Sequence, residues 1–168
     1  LNIVGQAEGL LFPDTFYYQK GDLFSSLLSR AFDKQQTSYI DLWNSRQEDL
    51  PYSSLIEAIT LASIIEKEGL EKEMIAGVFV NRLRKKMKLQ SDPTVIFALG
   101  SKFDGNIKRS HLKINNPYNT YRYKGLPPGP IGLVSLSSIE AALNPKQSEY
   151  LYFVSMNNGF HKFSKTLE

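Results

Sequence analysis

Two glutamates near the middle of the chain, in Glu66-Lys67-Glu68, follow directly on the apolar run Leu61-Ala62-Ser63-Ile64-Ile65. A carboxylate held against apolar side chains is partly desolvated, and desolvation raises its pKa. A glutamic acid that keeps its proton near neutral pH is what general-acid cleavage of a glycosidic bond needs. The plain alternative is a pair of last-turn residues in solvent. On a helix, positions i and i+2 face different sides, so at most one of the two enters a given cleft. Glu66 falls nearer the apolar centre of the helical wheel and Glu68 at its flank, and periodicity does not choose between them.

The second candidate is the loop Asn115-Asn116-Pro117-Tyr118-Asn119-Thr120-Tyr121, continued by Gly125-Leu126-Pro127-Pro128-Gly129. Aromatic faces pack on pyranose rings and amides bind hydroxyls, so the mixture suits a sugar polymer. The same residue types also build tight turns. Residues 125–132 lack the Lys-Ser/Thr of a phosphate-cradling loop, and Ser63 stands in no nucleophile-elbow pattern. The absence of cysteine excludes disulfides, thiolate zinc sites and cysteine nucleophiles, and with two histidines, His111 and His161, no histidine-rich metal site is expected.

The elements that must position these groups read as follows. Residues 8–16 form a short extended segment interrupted by Pro13. Leu23, Leu27, Leu28 and Ala31 have helical spacing behind Asp22 as N-cap, and Leu42 and Trp43 lie in a second helical piece. The longest clear helix starts at Ser53 or Ser54, with Glu57 completing a capping box, and ends at Gly69. It is apolar around most of its circumference, which marks a buried helix. A further helix over 71–87 carries Ile75, Val78, Phe79 and Leu83 on one stripe. Ser91-Asp92-Pro93-Thr94 then supplies a capping side chain and a first-turn proline. Residues 100–133 hold little regular pattern, and a loop of that length is usually functional. A capped helix over 135–143 stops at Asn144-Pro145, and Tyr150-Leu151-Tyr152-Phe153-Val154 and 161–163 flank Asn157-Asn158-Gly159, a hairpin signal. The expected fold class is α+β: one helix-dominated catalytic domain over 1–168 with a small antiparallel element and a long Gly/Pro/Tyr-rich loop.

Composition agrees with a globular domain: 168 residues, 42% hydrophobic and 22% charged. Roughly two-thirds of the unfolded surface of such a chain can be buried, enough for a core without staples. The net charge of +3 is mild for a nucleic-acid binder, so no nucleic-acid partner is expected. The densest basic run, Arg82, Arg84, Lys85, Lys86 and Lys88, lies at a helix end, where it reads as a solvated face complementing the helix dipole. No apolar run reaches the ~20 residues of a membrane span. Leu1 is not an initiator methionine, so the sequence is expected to be a cut piece of a longer protein.

Seven motifs in order carry a resemblance to a known family: Glu8-Gly9-Leu10-Leu11-Phe12-Pro13-Asp14-Thr15, Ala62-Ser63-Ile64-Ile65-Glu66-Lys67-Glu68, Phe79-Val80-Asn81-Arg82-Leu83, Leu89-Gln90-Ser91-Asp92-Pro93-Thr94, Tyr118-Asn119-Thr120-Tyr121, Gly125-Leu126-Pro127-Pro128-Gly129 and Tyr150-Leu151-Tyr152-Phe153. Together they resemble the MltG (YceG-like) family of endolytic murein transglycosylases over essentially the whole chain. The resemblance implies that Glu68, the second glutamate of the motif, is the catalytic acid. It further implies non-hydrolytic cleavage of the β-1,4 bond between N-acetylmuramic acid and N-acetylglucosamine, leaving a 1,6-anhydromuramyl end. No cofactor is implied. An internal nucleophile removes the need for a second catalytic carboxylate. Glu8 and Asp92 are placed near the cleft, and Asn81, Gln90, Tyr118, Asn119 and Tyr121 are candidates for binding sugar hydroxyls, acetamido groups or peptide stems. Each has a structural alternative: Asp92 as a helix cap, Glu8 as an anchor of the first strand. Gly69 departs from the family pattern, where threonine is common, and is expected to alter the helix end.

The same resemblance implies peptidoglycan strands and cell-wall synthesis enzymes such as penicillin-binding proteins as partners. It also implies a site on the extracytoplasmic face of the bacterial cytoplasmic membrane, anchored by a single span. The family's membrane helix and LysM-like module have no counterpart in this sequence. The alternative from another class is a non-catalytic peptidoglycan-binding or scaffold module, which would keep the aromatic loop without depending on Glu68. An aminodeoxychorismate lyase would need a pyridoxal-phosphate lysine and a phosphate cradle, and neither pattern is present.

Overall fold

The structure is a computed structural model that describes residues 7–156 and 160–167. Its elements are the helices α1 (Phe24–Asn44), α2 (Leu55–Glu68), α3 (Lys72–Arg84), α4 (Asp92–Leu99) and α5 (Leu136–Leu143), then the strands β1 (Tyr152–Ser155) and β2 (His161–Ser164). The fold is α+β and helix-dominated, with one two-stranded antiparallel sheet among the described residues.

The pivot is α2. Its capping box forms as the sequence predicts: the Ser54 hydroxyl accepts from the Glu57 N–H at 3.4 Å, and the Glu57 carboxylate accepts from the Ser54 N–H at 3.2 Å. Every residue from Ala58 to Ile65 is buried, and α1, α3, α4 and α5 all pack against this helix. Ser63 lies inside the core without penalty, because its hydroxyl donates to the Thr60 carbonyl (2.7 Å) and accepts from the Ile131 N–H (3.0 Å). On α3, a Cβ at Gly77 would stand 2.3 Å from the Lys146 carbonyl oxygen, so glycine alone lets the chain between α5 and β1 lie directly on the helix.

Three expectations for the N-terminal part are corrected. The two helical pieces are one helix of 21 residues, and it begins after Leu23, which is exposed. Asp22 caps nothing; its carboxylate accepts from the Gln19 N–H (2.9 Å) and closes a turn ahead of the helix. The buried positions of α1 are Ala31, Gln35 and Tyr39, four residues apart. Their polar ends reach backbone carbonyls, Gln35 to Gly9 (2.5 Å) and Tyr39 to Val134, so a hydrophobic pattern alone misses this face. The opening segment forms no strand. Residues 8–10 turn, with the Leu10 N–H on the Ala7 carbonyl (3.1 Å) and Gly9 at φ +72°, and Phe12 then packs on Tyr39 at 6.1 Å.

The hairpin pairs Phe153 with Phe163 and Ser155 with His161. Its turn signal, Asn157-Asn158-Gly159, lies outside the described residues. Phe153 stands edge-on to Phe79 of α3 at 5.6 Å, and the Arg82 Nε donates to the Leu151 carbonyl at 2.7 Å, which fastens the sheet to the helical body. Among the described residues, no helix is long and apolar enough to cross a membrane.

Candidate active site

Glu68 is the last residue of α2, at the point where the buried helix meets open space. Its Oε1 accepts from the Ser91 hydroxyl at 2.5 Å. Ser91 occupies the N-cap of α4, yet its side chain caps nothing there, because the hydroxyl is committed to Glu68. Around it the Ser91 N–H donates to Thr120 Oγ1 (3.0 Å) and the Thr94 hydroxyl donates to the Ser91 carbonyl (2.7 Å), so the donor is held from three sides. Burial pushes the Glu68 carboxyl up. The Ser91 hydrogen bond opposes this, the nearby Asp92 carboxylate adds to it, and His161 and Arg82 oppose it more weakly; the net shift is upward.

A cleft of about 300 Å³ opens at this acid, lined by Glu68, Arg82, Leu89, Gln90, Asp92, Tyr121, Phe153, Ser155 and His161. Asp92 is exposed, and its Oδ1 accepts from the Tyr121 hydroxyl at 2.6 Å. Burial and Asp92 together raise the Tyr121 phenol, so it remains a donor. Gln90 sits at φ +50°, a left-handed conformation that few non-glycine residues adopt, and its N–H is fixed on the Thr120 carbonyl (3.2 Å). Arg82 places a buried guanidinium behind the acid, with Nε on the Leu151 carbonyl and Nη1 on the Leu89 carbonyl, each at 2.7 Å.

Of the residues expected at the site, the structure therefore brings Gln90, Asp92 and Tyr121 to Glu68. The others lie apart from this cleft. Both donors of the Asn81 amide go to backbone carbonyls, Ser148 at 2.8 Å and Tyr150 at 3.0 Å. Asn119 is fully buried. It donates to the Leu112 (3.1 Å) and Ile114 (3.0 Å) carbonyls and accepts from the Tyr121 N–H (3.0 Å), which shapes the loop that delivers Tyr121. Tyr118 packs on Phe97 with ring centroids 4.8 Å apart, and Glu8 is half-buried in the opening turn.

Arg82, Phe153, Ser155 and His161 line the cleft without a functional motif of their own in the sequence. Arg82 reads as part of a solvated basic run, although it lies three residues after Phe79 on the buried face of α3. His161 shares a face of β2 with Phe163, a signal that strand alternation offers. Gly69 explains the placement of that histidine. Its backbone is extended, but a Cβ there would lie 2.6 Å from the His161 Cε1, so glycine at this position makes room for the ring.

Glu66, two residues earlier, faces elsewhere. Its carboxylate accepts from the Ser135 hydroxyl (2.5 Å), the Ser135 N–H (3.2 Å), the Ser138 hydroxyl (2.5 Å) and the Lys72 ammonium (3.1 Å). Burial alone would raise this carboxyl, but the donors outweigh it and bring it down to about 2. Glu66 is an ionised tie between α2, α3 and α5 rather than a proton donor.

The chain is similar to several known proteins. The profile of the YceG-like family matches residues 1–168. An endolytic murein transglycosylase of Bacillus subtilis (strain 168) is 43% identical over 170 residues, covering 99% of this chain and 47% of that protein. One from Streptococcus pneumoniae serotype 2 (strain D39 / NCTC 7466) is 37% identical over 159 residues, covering 88% of this chain and 28% of the relative. The 2.6 Å crystal structure of a yceG-like protein from Listeria monocytogenes superposes with a TM-score of 0.82 at 40% identity, over 96% of this chain and 53% of that one. The chain thus spans about half the length of two of these proteins and less of the third. With the family profile matching from end to end and the fold superposing on a solved relative, the chain belongs to the YceG-like family.

Proposed function

We propose that this chain carries the catalytic region of an endolytic murein transglycosylase and that Glu68 is its acid and base. The observation that carries the reading is a glutamate whose carboxyl is pushed up by burial and whose side chain opens on a polar cleft, in a chain similar to proteins of that name. In the reaction, the protonated Glu68 gives its proton to the bridging oxygen as the bond to muramyl C1 breaks. The C6 hydroxyl of the same sugar attacks C1 and passes its proton to the Glu68 carboxylate. The products are an N-acetylglucosamine hydroxyl and a 1,6-anhydromuramyl end, the acid is restored, and no water is consumed. Asp92, with Tyr121 on it, supplies negative potential near the developing positive charge at C1, and the buried Arg82 limits how far the cleft's charge can swing.

The same reading gives peptidoglycan strands as substrate, with no cofactor. It places the whole protein on the extracytoplasmic face of the bacterial cytoplasmic membrane, anchored by one span, beside cell-wall synthesis enzymes such as penicillin-binding proteins. The test is mass spectrometry of fragments released from purified glycan strands. The wild-type chain is expected to release anhydromuramyl-ended fragments, and Glu68→Gln almost none. Reducing ends without the anhydro mass would make the protein a hydrolase. Binding without cleavage by the wild-type chain would make it a scaffold module.

A further inference from the structure

His161 enters the cleft from the strand side. Its ring is nearly enclosed, with the side chain 8% exposed. Glu71, just before α3, fixes it twice with one oxygen: Oε2 accepts from the His161 N–H at 2.6 Å and lies 3.2 Å from Nδ1. A carboxylate oxygen only accepts, so Nδ1 carries the proton. Cε1 faces Gly69, and Phe153 meets the ring edge-on at 5.4 Å. Nε2 has no hydrogen-bond partner among the described residues, yet no enclosed polar side-chain atom among them lacks one. The open part of the ring is therefore its Nε2 edge, and the cavity that His161 lines is the one that holds Glu68.

A histidine with one nitrogen anchored on a carboxylate, packed on three sides and with the other nitrogen open to a cleft is pre-organised for a ligand. We propose that His161 is a substrate-binding residue of this cleft, its Nε2 taking a hydrogen bond from a hydroxyl of an N-acetylated sugar bound across Glu68. Glu71 is its positioning residue, fixing the proton on Nδ1 and thereby leaving the Nε2 lone pair for the sugar. The proposal rests on the glycan-cleaving reading of the same site and deepens it.

The test separates the two nitrogens. Asparagine places its amide near the Nδ1 position and glutamine near the Nε2 position. His161→Asn is expected to keep the Glu71 contact and lower kcat/KM on glycan strands about 10- to 100-fold, while His161→Gln stays within about tenfold of wild type. The reverse order would make the ring a packing piece for Glu71 and overturn the proposal. A second measurement uses the unmodified ring: the ¹⁵N shift of His161 Nε2 in Glu68→Gln protein, titrated with a tetrasaccharide of alternating N-acetylglucosamine and N-acetylmuramic acid. A saturable shift supports the contact; a saturable shift elsewhere in the cleft with Nε2 unmoved, or no shift at all, refutes it. If Nε2 shifts but Glu68→Gln still cleaves glycan, the acid assignment falls and the sugar contact stands.

Discussion

Glu66 and Glu68 leave the same helix end two residues apart, and each receives the hydroxyl of a serine at the N-cap of another helix: Ser135 of α5 for Glu66, Ser91 of α4 for Glu68. Their carboxyls nevertheless shift in opposite directions, down to about 2 for Glu66 and upward for Glu68. The difference lies in what surrounds the shared motif. Glu66 adds a second hydroxyl, a backbone N–H and an ammonium. Glu68 has one hydroxyl, deeper burial and a carboxylate neighbour. Burial raises both carboxyls, and the count and charge of the groups set against it decide which way each one ends.

Exchanging each glutamate for glutamine gives the sharpest contrast. Glu68→Gln should lower the rate of glycan cleavage by about 10²- to 10⁴-fold, the usual worth of a positioned acid, with the melting temperature unchanged or raised. Glu66→Gln should do the opposite. It removes the charge that Lys72 and the two serines surround and costs about 1–3 kcal/mol in denaturant unfolding, while the activity per folded molecule is kept. Loss of cleavage in Glu66→Gln with none in Glu68→Gln would invert the roles.

A smaller effect separates them by pH. Glu66 has a folded pKa below its unfolded value, so its stabilisation is complete above about pH 4.5 and is lost as pH falls toward 2. Acid unfolding of the wild type should lose stability across that window, and Glu66→Gln should flatten the loss. Glu68 has a raised folded pKa, so its penalty appears as pH rises through that value, and Glu68→Gln should relieve it at neutral pH.

The smallest effects tune the acid itself. Asp92→Asn removes a charge that holds the proton on Glu68, so the alkaline limb of the rate profile should move to lower pH. Ser91→Ala removes the hydroxyl that favours the carboxylate, so that limb should move to higher pH. Equal shifts of the same sign in both variants would disprove this account of the Glu68 environment.

Much of this was legible in the sequence where one residue's neighbours in the chain are also its neighbours in space. The Ser54–Glu57 capping box, the buried α2 and the hairpin all follow from spacing alone. The N-caps of α4 and α5 were legible as positions but not as bonds, because Ser91 and Ser135 turn from their own helices to glutamates 23 and 69 residues away. Local rules give way there to long-range contacts. The choice between Glu66 and Glu68 failed for the same reason: the donors that separate them come from α3, α4 and α5. Arg82 and His161 stayed hidden because burial of a charged or polar ring is unreadable until the carbonyls of Leu89 and Leu151, or the carboxylate of Glu71, are in view.

The hairpin follows the helices in the chain, and the cleft is built from both. The acid is encoded by residue 68, but the wall facing it comes from Phe153, Ser155 and His161. A ribosome that has released only the helices has made the proton donor without the surface that would steady a sugar against it. On the proposed reading, a copy that stops short of the hairpin keeps the acid and lacks the surface that faces it.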